Sequence, residues 1–117
     1  MPKALIRYQV AQKLHACTED TGEEHPNQRA RDLADILLIE ELALDGAQMP
    51  GLREACVEIF GLRGKHLWPP TVVVWPDWDG IWERLVYAEK LDYSISEAVT
   101  RVQDLVDRID SAGRDDL

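Results

Sequence analysis

Three shortages bound what this 117-residue chain can be. Apolar residues make up 45% of it but never run to the roughly 20 in a row that a membrane-crossing helix needs, so no membrane span is expected. Cysteine is down to two residues, Cys17 and Cys56, both on apolar faces of expected helices. A thiol there acts as a small hydrophobe, and two free buried thiols are expected rather than a structural disulfide. Positive charge is also short: 13 Lys and Arg against 22 Asp and Glu leave a net charge of -9. The field of the whole molecule therefore does not favour nonspecific attraction to nucleic acid. Nor does any helix-turn-helix spacing with a basic recognition helix point to a DNA-binding regulator. His15, His25 and His66 share no spacing that sets two of them on one metal, and no zinc site is expected. Residues 1–17 lack the continuous apolar stretch of a signal peptide, which makes the cytoplasm the expected compartment.

What remains is the composition of a globular helical domain. Residues 1–110 are expected to form one domain and residues 111–117 a flexible acidic tail. Charge is unevenly spread, since residues 1–17 hold Lys3, Arg7 and Lys13 and no acid. Such a stretch either steers a phosphate or an acidic partner or is a plain solvated helix face.

Periodicity predicts about five helices. In the first, about Lys3 to Thr18, Ile6, Val10, Leu14 and Cys17 recur in steps of 4, 4 and 3, one stripe at the helical period. Lys13 falls about 20° around the helix from Ile6 and so borders that stripe. The loop 19–27 carries Gly22 and Pro26 as breakers, with Asn27 as the expected N-cap of a second helix, about Gln28 to Leu44. That helix is apolar on nearly every side and is expected to be central. Asp32 shares a face with Ile36, Ile39 and Ala43, with Asp35 one turn on, and a carboxylate there needs a partner. A third helix is expected from about Pro50 to Arg63, with Leu52, Ala55, Cys56, Ile59 and Phe60 inward and Gly64 as its C-cap.

Residues 65–76 carry three prolines among valines and tryptophans, which predicts an extended crossing rather than a central strand. A fourth helix follows from Asp77 or Asp79 to about Leu91, with Trp78, Ile81, Trp82, Leu85 and Ala88 as its stripe. The fifth opens with a capping box, Ser94-Ile95-Ser96-Glu97. Ile95, Val99, Val102, Val106 and Ile109 then form a heptad seam that either packs on the chain's own core or pairs two copies as a homodimer. Trp68, Trp75, Trp78 and Trp82 are crowded together without interleaved basic residues, the pattern of an apolar cluster or partner surface rather than a base-stacking platform.

Two segments carry a family likeness. Val10-Ala11-Gln12-Lys13-Leu14-His15-Ala16 and Arg29-Ala30-Arg31-Asp32-Leu33-Ala34-Asp35 resemble the AxKLxA and RxRDxxDL motifs of the AbiEii-type nucleotidyltransferases, toxins of abortive-infection toxin-antitoxin systems. Ile59 to Arg63, the Pro69-Pro70 to Trp78 region and Tyr87-Ala88 are similar to the tail of the same family. The chain thus resembles that family's C-terminal helical half. The resemblance implies transfer of a nucleotide from a metal-bound NTP to an acceptor, in some members a tRNA end. It implies that Lys13 holds nucleotide phosphates with Arg29 and Arg31 in support. Asp32 would act as base or orienter near the attacking hydroxyl, with Asp35 beside it.

The family sets its metals on a Gly-Ser turn followed by an Asp-x-Asp strand in an N-terminal domain. No Gly-Ser pair occurs here, and the one Asp-x-Asp, Asp77-Trp78-Asp79, reads as caps at a helix start. Two-metal transfer needs those carboxylates. Mg²⁺ and NTP are therefore expected only where a catalytic N-terminal domain is supplied, and the implied partners are such a chain or an antitoxin. The reading without catalysis is a helical protein-protein interaction module in which Lys13 and Asp32 are simply an ion pair tying two helices.

Overall fold

In a computed structural model that describes residues 3–112, the chain is an all-α bundle. Its elements are α1 (Lys3–Thr18), α2 (Arg31–Ala43), a 3₁₀ turn (Gly46–Gln48), α3 (Met49–Arg63), α4 (Trp78–Glu89) and α5 (Ile95–Ala112), with no strand among the described residues. The helix α1 packs on both α2 and α3, α5 packs on the same two, and α4 leans on α2. The core lies where those faces meet: Val10, Leu14 and Cys17 of α1, Leu33 and Ile36 of α2, Leu52 and Cys56 of α3, and Val102, Leu105, Val106 and Ile109 of α5 are all sealed from water. No helix is long and apolar enough to cross a membrane.

The α5 seam is spent inside the chain. Ile95, Val102, Val106 and Ile109 are buried against α2 and α3, so a second copy would not meet the face that the heptad spacing offered for pairing. The Ser94 hydroxyl accepts from the Glu97 backbone N–H at 3.1 Å, as the expected capping box requires. Of the tail, Ser111 and Ala112 belong to α5, and residues 113–117 lie outside the described residues.

Several boundaries differ from expectation for identifiable reasons. The helix α2 begins at Arg31 rather than Gln28, because the Asn27 side chain is committed elsewhere. Its amide donates to the carbonyls of Ala16 and Glu19, both at 2.8 Å, closing the end of α1, while its Oδ1 accepts from Arg29 N at 2.8 Å. The α2 surface is less enclosed than its composition suggests, with Leu38 and Leu42 exposed. Asp77 precedes α4 in the left-handed region (φ 73°), a conformation that Asp tolerates better than most residues, and its side chain makes no cap hydrogen bond. Ala88 lies on the exposed side of α4, outside the stripe that buries Trp78 and Trp82. Gly64 closes α3 at φ 62°, as expected of a C-cap.

The extended crossing, residues 64–77, is a strap tied down by its polar atoms. Trp68 Nε1 donates to Asp110 Oδ1 at 3.1 Å, Val72 N to Gln103 Oε1 at 2.8 Å and Trp75 Nε1 to the Cys17 carbonyl at 3.0 Å. Just beyond, Trp78 Nε1 donates to the Asn27 carbonyl at 2.8 Å and Trp82 Nε1 to that of Tyr93 at 3.2 Å. All four indoles thus have their one donor paired, and Trp78 and Trp82 are buried. They are fixings of the fold rather than a stacking platform.

Candidate functional site

The two motif segments converge. Lys13 reaches from α1 to the start of α2, where its ammonium lies 3.1 Å from Asp35 Oδ2 and 3.7 Å from Asp32 Oδ1. Asp32 is 3% exposed and also receives Arg29 through Nε at 2.9 Å and Nη2 at 3.4 Å. Arg31 Nε stands 3.8 Å from Asp35 Oδ1, and its Nη2 pairs with Glu89 of α4. All five residues singled out in the motifs therefore belong to one ion network, with Glu89 added by the fold. The helical period explains it: Asp32 and Asp35 are three apart on one face of α2, and α1 presents the edge of its buried stripe to that face.

The network is asymmetric. Asp32 is enclosed and held by two cations, an arrangement that orients a group more than it exposes one. Asp35 keeps part of its carboxylate open to water, and Arg29 and Arg31 are both more than half exposed. Hydrogen bonding to Asp32 holds the Arg29 guanidinium still more firmly protonated.

On the α1 side of the network lies a cleft of about 700 Å³ between the second half of α1 and the loop that leads to α2. Lys13, Arg29 and Arg63 line it with the imidazoles of His15 and His25, the amides of Gln9, Gln12 and Gln28, and one acid, Glu19. This is a basic concavity in a molecule of charge -9. Lys13 and Arg29 come with their carboxylate partners, whereas Arg63, the last residue of α3, has no ion pair among the described residues. The motifs do not point to Arg63 as part of the cleft. Its only signal in the sequence is its place before the Gly64 cap, which aims the end of α3 at the end of α1.

Beneath the cleft the fold joins two histidines that 50 intervening residues keep apart in the chain. His15 and His66 have ring centroids 4.6 Å apart and share a cluster with Phe60 and Trp68. Spacing gave no hint of this contact, because the strap brings His66 back onto α1. Burial pushes both imidazoles below the ordinary histidine range, and for His15 the neighbouring His66 pushes the same way.

The donor set does not fit a catalytic magnesium. The carboxylates of Asp32 and Asp35 are engaged by Lys13, Arg29 and Arg31, and among the described residues no group of three or more His, Cys, Asp or Glu is set to hold a metal ion. Asp77 and Asp79 supply no such group either. Both cysteines are free, buried thiols. Comparison with protein-family models and with curated proteins finds no match to this chain.

Proposed function

We propose that this chain is the phosphate-facing helical half of a nucleotidyltransferase of the kind its motifs resemble, completed by metal-binding residues from another segment or chain. The observation that carries this reading is the convergence of Lys13, Arg29, Arg31, Asp32 and Asp35 at the wall of a basic cleft. Lys13 and Arg29 line the cleft and are placed to meet nucleotide phosphates, with Arg63 as a third and unpaired cation. Asp32 acts as the orienter that fixes Lys13 and Arg29. Asp35, open to water on one side, is the carboxylate able to meet an acceptor hydroxyl such as a tRNA end. No metal step runs through these residues.

The test is titration calorimetry with NTP and magnesium, first on the chain alone and then with an N-terminal nucleotidyltransferase domain supplied. Saturable binding that weakens in Lys13→Ala is expected. Absence of nucleotide binding under both conditions would sink the reading.

A second reading, a non-catalytic interaction module, is favoured by different atoms. Leu38 and Leu42 lie one helical turn apart on α2 with 54% and 75% of their surface exposed, an apolar pair that a partner could cover. A strict monomer in light scattering, with no partner retained in a pull-down that is sensitive to Leu42→Glu, would count against it.

A further inference from the structure

The His15–His66 pair is short of one proton. Thr18 Oγ1 donates to the Leu14 carbonyl at 2.6 Å, so at 2.8 Å from His66 Nε2 it can only accept, which places the His66 proton on Nε2. His66 Nδ1 is then a bare lone pair, and it is buried with no partner. His15 Nε2, on the neighbouring ring, is likewise buried and unpartnered, in a residue only 2% exposed that lines the cleft floor. Unmatched polar atoms of this kind are rare in folded proteins and mark places where a proton or a ligand changes the balance.

We propose that the His15–His66 pair takes up a single proton beneath the cleft, and that this uptake is coupled to the binding of a phosphate-class dianion above it. The inference rests on the reading of the cleft as phosphate-facing and adds its regulation. Adjacent rings can hold one added proton, because a second cation would face the first across 4.6 Å between centroids. The charged groups facing the pair act in opposite directions. Glu19, just past α1, favours the protonated rings, and Arg63 at the end of α3 disfavours a charge on His15. From the strap, Lys65 adjoins His66 in sequence, and from the loop His25 lines the same cleft. An anion drawn to Arg63 neutralises its opposition to a charged imidazole. By reciprocity the proton then strengthens the anion's hold.

Sulfate is the suitable probe because its charge is constant across the histidine range. Its affinity, followed by calorimetry and by amide chemical shifts of Lys13 to Thr18, is expected to rise as pH falls from about 7.5 to about 5.5, by up to about tenfold per pH unit where a full proton is taken up. Titrations in two buffers of different ionisation enthalpy should count proton uptake approaching one per sulfate. His66→Gln keeps a donor to Thr18 and is expected to flatten the pH dependence, as is His15→Gln, whereas His25→Gln is expected to preserve it. Sulfate binding that is independent of pH, or a slope that survives in His66→Gln, overturns the coupling and leaves the phosphate-facing cleft standing. A slope lost in His25→Gln assigns the proton to the loop and also overturns it. Failure of sulfate to bind at any pH overturns both.

Discussion

Asn27 is the residue on which the cleft depends most, and its removal has a calculable cost. The side chain, in a residue 4% exposed, closes the Ala16 and Glu19 carbonyls at the end of α1 and holds Arg29 N at the approach to α2. Asn27→Ala strips all three bonds at 2.8 Å and leaves the Trp78 indole on the main-chain carbonyl untouched. Each buried polar group left without a partner costs about 1–3 kcal/mol, and the cleft beside Asn27 lets water soften the loss toward the lower end. The expected total is about 3 kcal/mol, which for a domain of this size lowers Tm by about 10–15 °C. Urea unfolding, followed by tryptophan fluorescence with far-UV circular dichroism alongside, measures it. Asn27→Asp sharpens the test, because it keeps the acceptor for Arg29 N but turns an oxygen toward two carbonyl oxygens. It should be at least as destabilising as Asn27→Ala. A cost below about 1 kcal/mol for Asn27→Ala, or recovery of stability in Asn27→Asp, would refute the assignment of the amide as the knot between α1 and α2.

Three further outcomes are expected. The folded pKa of His15 and His66 lies below the unfolded value, so the unfolded chain binds protons that the folded chain refuses as pH falls below about 6.5; stability should be full above that pH and decline beneath it, and thermal melts from about pH 7.5 to 5.5 in chloride buffer should show His66→Gln declining less than the parent. Burial pushes the Cys56 thiol up to about 12 and the Cys17 thiol higher still, so Ellman's reagent should find no fast-reacting thiol in the native protein and two after denaturation. Lys13→Met and Arg29→Met each leave Asp32 one cation, but the double variant buries that carboxylate unpaired; its cost should exceed the sum of the singles and reach about 3–5 kcal/mol, and strict additivity in urea titrations would contradict the shared network.

Helix period carried most of the fold. Val10, Leu14 and Cys17 on α1, the inward set of α3 and the α5 seam all lie where steps of three and four put them, because a packed helix must bury one stripe. The same arithmetic placed Lys13 beside Asp32 and Asp35. What sequence spacing could not supply were contacts made through irregular chain. The amide of Asn27 can cap the helix ahead or close the one behind, and local sequence favours the first while the fold uses both ends. Nothing in the spacing of His15 and His66, or of Trp75 and the Cys17 carbonyl, records that the proline-bearing strap doubles back over α1. The exposure of Leu42 and Ala88 was equally hidden, since helix ends lie past the edge of the core whatever their residue type.

The compensation pattern within the cleft ranks its cations. Lys13 is shared by two carboxylates and Arg29 is forked onto the buried Asp32, so an incoming anion must compete with charges already satisfied. Arg63 faces the same space with no ion pair among the described residues, and its charge is available without breaking a contact. Removing Lys13 also releases Asp35 into a local excess of negative charge beside Glu89, which repels an anion through the field rather than through a lost bond. The two variants therefore differ in character. Arg63→Ala should weaken sulfate binding at every ionic strength. Lys13→Ala should weaken it chiefly at low salt, where a charge about a Debye length of 10 Å away still acts. Affinities measured from about 0.02 M to about 0.5 M salt separate them. If Lys13→Ala proves the more damaging variant at high salt, the ammonium binds the anion directly, and the carboxylates of α2 hold Lys13 in place for that contact rather than neutralising it.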